Sequence, residues 1–365
     1  MRTVIALARN PWLRGLAVLA SLALALVVLW WRGPDWDTVY HAFDFVRWRW
    51  VAVGVVLNLL SVAARAWAWN LTIHQAMPQP KPRFAAVFSA FGVGLLGNAV
   101  LPARAGELAR VAVLRRHVEA ETGTSATLLG TVFAHRVFDI FPIALLVGYV
   151  ALTAKLPDWA ITGLVALGLV GVALLTVAVL SARRAHGEPM HGERTARRLL
   201  AMARQGLAVM RVPTAAFAAI LFQAIGWTLQ LLAVWAVTEA FDLDVPLPAA
   251  ALVLLLMNVA TIFPLWPGNV GLLQAAVALP LVQYGVAYGT GFAYGLVLQA
   301  IEMSVGVGVG LVMLAREGIS FAALTRMDDA EEEVAEEVLD EISGERAAHS
   351  PEEAQAVLTE GRARR

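Results

Sequence analysis

The stretch NAVLPARAGELARVAVLRRH, residues 98–117, decides the fold class, because it closes an apolar, glycine-rich run that begins at residue 84. It carries too many charges to cross a membrane unprotected. Pro102 removes a backbone donor and Gly106 permits a sharp turn, so a helix would break between them. Backbone without helical hydrogen bonds is tolerated at membrane depth only where protein or a water-filled cavity satisfies it. Residues 84–118 are therefore predicted to form a re-entrant helical hairpin.

A second break, FPLWPGNVG at residues 263–271, interrupts the apolar segment 249–284. Pro267, Gly268 and Gly271 would allow this segment to turn back as well. Arginine-rich loops are expected on the cytoplasmic side of the membrane. The order of the predicted spans places them there only if neither hairpin crosses the membrane, so that the first enters and leaves from the cytoplasm and the second from outside. Two broken helices with opposite entry indicate an inverted repeat with a site between its halves. The alternative is that both segments are ordinary kinked spans.

The composition places the chain in a membrane. Of its 365 residues, 59% are hydrophobic and only 15% are charged, whereas soluble domains have about 25% charged residues. That deficit excludes an ordinary soluble enzyme, and several apolar runs reach the roughly 20 residues that span a bilayer. The predicted fold is an all-α polytopic membrane protein with two re-entrant hairpins and six full spans, at residues 12–31, 50–72, 125–152, 159–181, 214–239 and 290–315.

The uneven distribution of charge predicts a domain boundary and an orientation. Residues 326–365 contain 13 Asp and Glu against 5 Lys and Arg, a net charge of −8, so residues 1–325 carry +8. We predict that residues 1–325 are the transmembrane domain and that the acidic tail is disordered, since it has too few apolar residues for a core. Seven arginines place the loop 183–211 in the cytoplasm, and both termini with it.

The first candidate site surrounds the first break. Asn98, Arg104, Glu107 and Arg110 all lie within it, and charged side chains in apolar sequence usually face a polar interior. An arginine beside a turn with free backbone N–H groups suits a phosphate. The alternative is that Arg104 and Glu107 form an ion pair that only holds the loop in place.

The second candidate site is His135-Arg136-x-x-Asp139 in the third predicted span. All three side chains can share one helix face, because Asp139 follows Arg136 by three residues and His135 by four. Asp139 could neutralise Arg136 structurally, or could orient it toward a ligand or toward Glu107. A proton relay through His135 and Asp139 is a further alternative.

The third candidate site is the second break. The amide of Asn269 and the exposed backbone near Gly271 could line the outer half of a cavity, with Gln274 following one turn later. The alternative is a helix break without any role in binding.

The sequence gives little support for a catalytic, metal-binding or cofactor-binding site. The chain has no cysteine, no metal-ligand spacing, and no pattern typical of a hydrolase or an ATPase. We therefore predict no catalytic residue, metal or cofactor, and no nucleic-acid partner. Gly92, Gly94 and Gly97 match a dinucleotide-binding pattern, but they follow no strand and lie in an apolar run, so they predict close helix packing instead.

Three motifs in order resemble the lysylphosphatidylglycerol synthase transmembrane-region family, also called the flippase-like domain family. The resemblance covers roughly residues 10–320. The family commonly has a glutamate where this chain has Gln274. The residues that carry the resemblance are Asn98, Pro102, Arg104, Gly106, Glu107 and Arg110, then Arg136 and Asp139, then Pro267, Gly268 and Gly271.

The resemblance implies the lipid-handling membrane half of such synthases without their soluble domain. Proteins of this kind are thought to bind or move phospholipids or polyprenyl-phosphate glycolipids. The leading hypothesis is a flippase of a bacterial or archaeal cell (inner) membrane, in which Arg104 and Arg136 converge on an anionic headgroup while Glu107 and Asp139 position them. One alternative is a lipid-binding scaffold that partners a lipid-modifying synthase or glycosyltransferase. Another is an intramembrane enzyme acting on lipid phosphate.

Overall fold

The computed structural model describes residues 33–77, 81–100, 106–118, 124–155, 212–261 and 269–321, with the isolated residues 23, 27 and 162. Within these ranges the regular elements are helices, and no strand occurs. Nine are α-helices: α1 (Trp36–Ala42), α2 (Trp48–Ala76), α3 (Phe84–Val100), α4 (Gly106–Arg115), α5 (Thr124–Thr153), α6 (Pro213–Ala240), α7 (Leu247–Ala260), α8 (Leu272–Leu281) and α9 (Tyr288–Arg316). The predicted all-α fold class is confirmed.

Four of these helices are long and apolar enough to cross a membrane, namely α2, Thr127–Thr153 within α5, α6 and α9. They coincide with four predicted spans, so the chain is a multi-pass membrane protein. The other two predicted spans, 12–31 and 159–181, lie outside the described residues, as does the acidic tail 326–365.

Each predicted break separates two short helices that pack against each other. α3 precedes the first break and α4 follows it, and the two helices are in extensive contact. Gly97 meets Gly106, while Gly94 meets Arg110, so these helices run antiparallel. Around the second break, α7 packs against α8. Both segments are therefore helical hairpins, and the side from which each enters the membrane stays a prediction.

Close approach of the backbones explains the glycine at the start of α4. A Cβ atom on Gly106 would overlap the carbonyl oxygen of Gly94 and would lie 2.7 Å from Oδ1 of Asn98. Neighbouring backbone cannot yield as the end of a long side chain could. Glycine therefore permits this hairpin to close, as small residues do between helices in membranes.

Replacing Gly106 with alanine should lower the free energy of unfolding by about 3 kcal/mol, at the upper end of the usual cost of overpacking. Reversible unfolding in mixed detergent micelles measures this change. Gly148→Ala in α5 is the matched control, because no described atom lies within 4 Å of a Cβ placed there. Equal stability of the two variants would contradict the close packing of α3 on α4.

The chain divides into two compact units, and each unit contains one hairpin. Unit 1 comprises the described parts of 1–65, 139–186 and 222–308, with the hairpin α7–α8. Unit 2 comprises those of 66–138, 187–221 and 309–365, with the hairpin α3–α4. The helices α2, α5, α6 and α9 are each divided between the units along the chain. One hairpin per unit is consistent with the inverted repeat, which stays a prediction.

Glycines also bring α9 close to α3 in unit 2. Gly92 of α3 faces Val309 and Met313 of α9, and Gly310 of α9 faces Leu96. The close helix packing predicted for the glycines of α3 is confirmed by these contacts and by those with α4.

The hairpin of unit 1 packs against α9. Most of α7 is buried, as expected of a helix that is apolar on every side. Gly295 of α9 faces Gln274 of α8 at close distance. The fully buried Tyr294 donates its hydroxyl proton to the carbonyl oxygen of Val234 in α6, 3.1 Å away. These contacts join α6, α8 and α9 within unit 1.

Candidate functional site

In unit 2, one carboxylate is shared by two guanidinium groups. Glu107 forms an ion pair with Arg110, in which Nη2 lies 2.5 Å from Oε2. Arg136 of α5 donates a hydrogen bond from Nη2 to the other carboxylate oxygen, Oε1. We refer to Glu107, Arg110 and Arg136 as the arginine cluster.

The local sequence explains how the hairpin contributes to this cluster. Glu107 lies in the first turn of α4, where the partial positive charge of a helix N-terminus favours an acid. Arg110 follows three residues later, on the same helix face. Asn98 of α3 lies against Gly106. The structure therefore brings Asn98, Glu107 and Arg110, all predicted from the sequence, to one end of the hairpin.

The two arginines of the cluster differ in exposure. The side chain of Arg110 is only 4% exposed, and its Cζ atom lies 4.7 Å from the ring centroid of Trp69 and 5.7 Å from that of Phe91. Such cation–π contacts stabilise a desolvated guanidinium group. The side chain of Arg136 is 42% exposed. Arg110 is thus fixed in the core of unit 2, whereas Arg136 is the member that a ligand can reach.

His135 precedes Arg136 in α5 but has different surroundings. Its side chain is buried, and its ring packs edge-on against Phe91 with centroids 6.0 Å apart. Consecutive residues of a helix do not face the same way: His135 enters the core, whereas Arg136 reaches Glu107. The prediction that these two side chains share one helix face is therefore wrong. The proton relay through His135 and Asp139 stays a prediction.

Asp139 is the centre of a polar network in unit 1. Gln223 and Trp227 of α6 both donate hydrogen bonds to its Oδ1 atom, the indole from 2.8 Å. The Nη2 atom of Arg65 lies 3.7 Å from the same oxygen. A buried carboxylate needs donors and an opposite charge, and this network supplies both.

Glycine at position 226 makes room for Arg65. A Cβ atom at Gly226 would lie 2.6 Å from the Cγ atom of Arg65. The Oγ atom of Ser61 donates to the carbonyl oxygen of Gly226 at 2.8 Å, so α2 and α6 are in contact at this point. The guanidinium of Arg65 lies 5.9 Å from the ring centroid of Trp227. The side chain of Arg65, a residue of α2, therefore packs against α6 beside Asp139.

Replacing Asp139 with asparagine should lower the free energy of unfolding by about 2 kcal/mol. This is less than the roughly 3–5 kcal/mol typical of a broken buried pair, because the Arg65 side chain is 21% exposed. Adding Arg65→Met to Asp139→Asn should recover much of the loss. Unfolding of the single and double variants in mixed micelles measures this coupling, and strictly additive effects would show that the pair contributes nothing.

The second hairpin uses its predicted polar residues to close the break. The Nδ2 atom of Asn269 donates to the carbonyl oxygen of Ala260, 3.0 Å away. The backbone N–H of Gly271 donates to Oε1 of Gln274 at 2.6 Å, and Nε2 of Gln274 donates to Oε1 of Gln299 at 2.5 Å. These contacts fit the alternative of a structural break, and a ligand at Asn269 stays a prediction. Gln274, which stands where the family commonly has a glutamate, forms both of these hydrogen bonds with uncharged groups.

One charged residue in unit 1 was not predicted. Glu302 lies at the middle of α9 and accepts a hydrogen bond from Nε2 of Gln230, 3.2 Å away. Both residues, together with Asn58 of α2, line a small cavity. A signal was present in the sequence, because Glu302 is the only acid in the predicted span 290–315.

Part of the predicted site lies outside the described residues. This applies to Pro102 and Arg104 in the first break and to Pro267 and Gly268 in the second. The convergence of Arg104 with Arg136 therefore stays a prediction. Of the other predicted site residues, Asn98, Glu107, Arg110 and Arg136 belong to unit 2, and Asp139 and Asn269 to unit 1.

Comparison with known proteins identifies the family. Neither the curated proteins nor the solved structures include a significant match to this chain. A family model described as "Lysylphosphatidylglycerol synthase TM region" matches residues 18–310. This range includes both hairpins, the arginine cluster and the Asp139 network, and it confirms the resemblance seen in the three motifs. The chain belongs to the lysylphosphatidylglycerol synthase transmembrane-region family.

Proposed function

We propose that this protein binds the anionic headgroup of a phospholipid or polyprenyl-phosphate-linked glycolipid at the arginine cluster and moves the lipid across the bilayer. The observation that carries the proposal is the shared carboxylate. Glu107 contacts both Arg110 and Arg136, so one carboxylate holds two guanidinium groups close together. A phosphate would bind the exposed part of the Arg136 guanidinium.

The chemistry of the guanidinium group supports a phosphate ligand. Arginine presents a planar fork of donors that matches two phosphate oxygens, and it keeps its charge in apolar surroundings. Glu107 holds one edge of Arg136, and the 42% exposure of this side chain leaves surface for a ligand. Arg104, which precedes α4 by two residues, would add a second guanidinium in our proposal. The acyl chains would remain in the lipid.

Broken helices and family membership also support the proposal. Transporters commonly form their substrate sites with discontinuous helices, whose ends place backbone dipoles near the substrate. Two hairpins around the sequence breaks provide such helix ends. The family description names a synthase of a phosphatidylglycerol lipid, which is consistent with a phospholipid ligand. We further propose residence in a bacterial or archaeal inner membrane with both termini cytoplasmic, which reporter fusions at residues 1 and 365 would test.

Lipid movement can be measured directly in proteoliposomes. Purified protein is reconstituted with a trace of fluorescent phosphatidylglycerol or phosphatidylcholine, and dithionite quenching reports the fraction in the outer leaflet. We expect phosphatidylglycerol to exchange between leaflets faster than in protein-free vesicles, and faster than phosphatidylcholine. Binding without exchange would contradict the transport step and would favour the scaffold alternative. In that alternative, the acidic residues 326–365, with a net charge of −8, would be the segment that binds the partner.

A further inference from the structure

A second carboxylate at membrane depth in unit 1 is not used by the proposed headgroup site. Glu302 lies at the midpoint of α9 and faces a small cavity. Ionisable residues at this depth are costly and usually mark pathways for ions or protons. The cavity is lined by the polar side chains of Asn58, Gln230 and Glu302 and by apolar walls that include Val234, Met257 and Leu298.

Glu302 and Asp139 differ in the groups that stabilise a negative charge on each carboxylate. Asp139 has two hydrogen-bond donors and the Arg65 guanidinium 3.7 Å away. Glu302 has one neutral donor, the amide of Gln230, and no cation within ion-pair distance among the residues that the structure describes. Of the two, Glu302 can become neutral without leaving an arginine uncompensated.

Arg65 connects the two acids. It forms the ion pair with Asp139 and packs against Gly226 of α6, one turn before Gln230, which bonds Glu302. Among the described residues, the other elements that line the cavity add no charged side chain, since α6 contributes Gln230 and Val234, and α7 contributes Met257. Tyr294, one turn before the lining residue Leu298 on α9, donates its hydroxyl proton to the backbone. A change of charge on Glu302 therefore acts first on Arg65 and, through it, on Asp139.

We propose that Glu302 is a proton-binding site and that its protonation drives lipid movement, with Arg65 drawn from Asp139 toward Glu302 when Glu302 is charged and returning to Asp139 when Glu302 is protonated. The proton enters from water, forms an O–H bond on the carboxylate, and leaves to water on the other side of the membrane. The coupling rests on the proposed function, whereas proton binding does not. A proton fits better than a metal cation, because Gln230 directs an N–H group at the carboxylate.

Infrared spectroscopy of the protein in nanodiscs tests proton binding without any transport. A pH titration should reveal the carbonyl stretch of a protonated carboxyl group that is absent from Glu302→Gln. Asp244→Asn is the matched control, because Asp244 is an exposed acid in the loop after α6, and this variant should retain the band. A band that is unchanged in Glu302→Gln would overturn the proposal.

Lipid distribution under a pH gradient tests the coupling. If one proton moves with each lipid, a gradient of one pH unit should shift the ratio of fluorescent lipid between leaflets by about tenfold. The ratio should not respond in Glu302→Gln and should respond normally in Asp244→Asn. A wild-type protein that moves lipid without responding to the gradient would overturn the coupling alone. A wild-type protein that shows the infrared band but moves no lipid would contradict the proposed function and leave the proton site standing.

Discussion

Replacing Glu107 with glutamine should destabilise the protein by about 3 kcal/mol, the lower end of the usual cost of removing one partner from a buried ion pair, because the Glu107 side chain is 22% exposed. Glu107 is the carboxylate partner of Arg110 and Arg136, and Arg110 is only 4% exposed. The positive charge of Arg110 would lose its ion pair with Glu107, and water cannot take the place of the carboxylate around so buried a side chain. Reversible unfolding in mixed micelles measures the loss, and Asp244→Asn at an exposed acid is the control.

A second variant separates this explanation from a loss of packing. Adding Arg110→Met to Glu107→Gln removes the buried charge while it keeps a long side chain against Trp69 and Phe91. Replacement of a buried ion pair by apolar groups is often neutral, so we expect the double variant to regain most of the lost stability. A double variant less stable than Glu107→Gln alone would show that Arg110 contributes through contacts other than the ion pair.

Replacing Arg136 with alanine should slow phosphatidylglycerol exchange at least about tenfold, since a hydrogen bond to a charged group contributes roughly 1.5–3 kcal/mol. The fold should persist, because 42% of this side chain is exposed. Arg136→Lys should restore only part of the rate, as lysine keeps the charge but not the fork of donors. The dithionite assay on monodisperse variants measures these rates.

The matched control for Arg136→Ala is Arg49→Ala, at an exposed arginine where α2 begins. This variant removes the same side chain and the same charge from the surface of the protein. We expect wild-type exchange from it. An equal loss of exchange in both variants would mean that overall charge, and not the position of Arg136, controls the rate.

Much of the fold could be predicted because its signals are local. A proline and a glycine four residues apart predicted the break between α3 and α4, and the structure starts α4 at Gly106. The four described spans follow from runs of apolar residues alone. The glycines of α3 indicated close packing, but their partners on α9 did not follow from the sequence, because helix pairing depends on contacts over 200 residues apart.

The ion pairs show where such local reasoning ends. The spacing of Arg136 and Asp139 suggested a pair within α5, and Glu107 was named only as an alternative partner of Arg136. The structure gives Arg136 the carboxylate of Glu107, 29 residues earlier, and gives Asp139 the guanidinium of Arg65. These distant partners come together through tertiary packing, which spacing along one helix does not contain.

Glu302 was missed for a different reason. It is a single charge in a long apolar run, and hydropathy averages conceal such a residue even though its burial is costly. Asn269 was identified as a polar residue at a break, but its hydrogen bond to Ala260 became clear only from the fold.

Electron cryomicroscopy of the protein in nanodiscs that contain phosphatidylglycerol tests the central claim most directly. The account predicts density for a phosphate group within hydrogen-bonding distance of the Arg136 guanidinium, at the arginine cluster formed with Glu107 and Arg110. This density should disappear in Arg136→Ala and persist in Arg49→Ala. Well-resolved side chains at the cluster with no phosphate beside Arg136, and a lipid headgroup bound elsewhere, would contradict it.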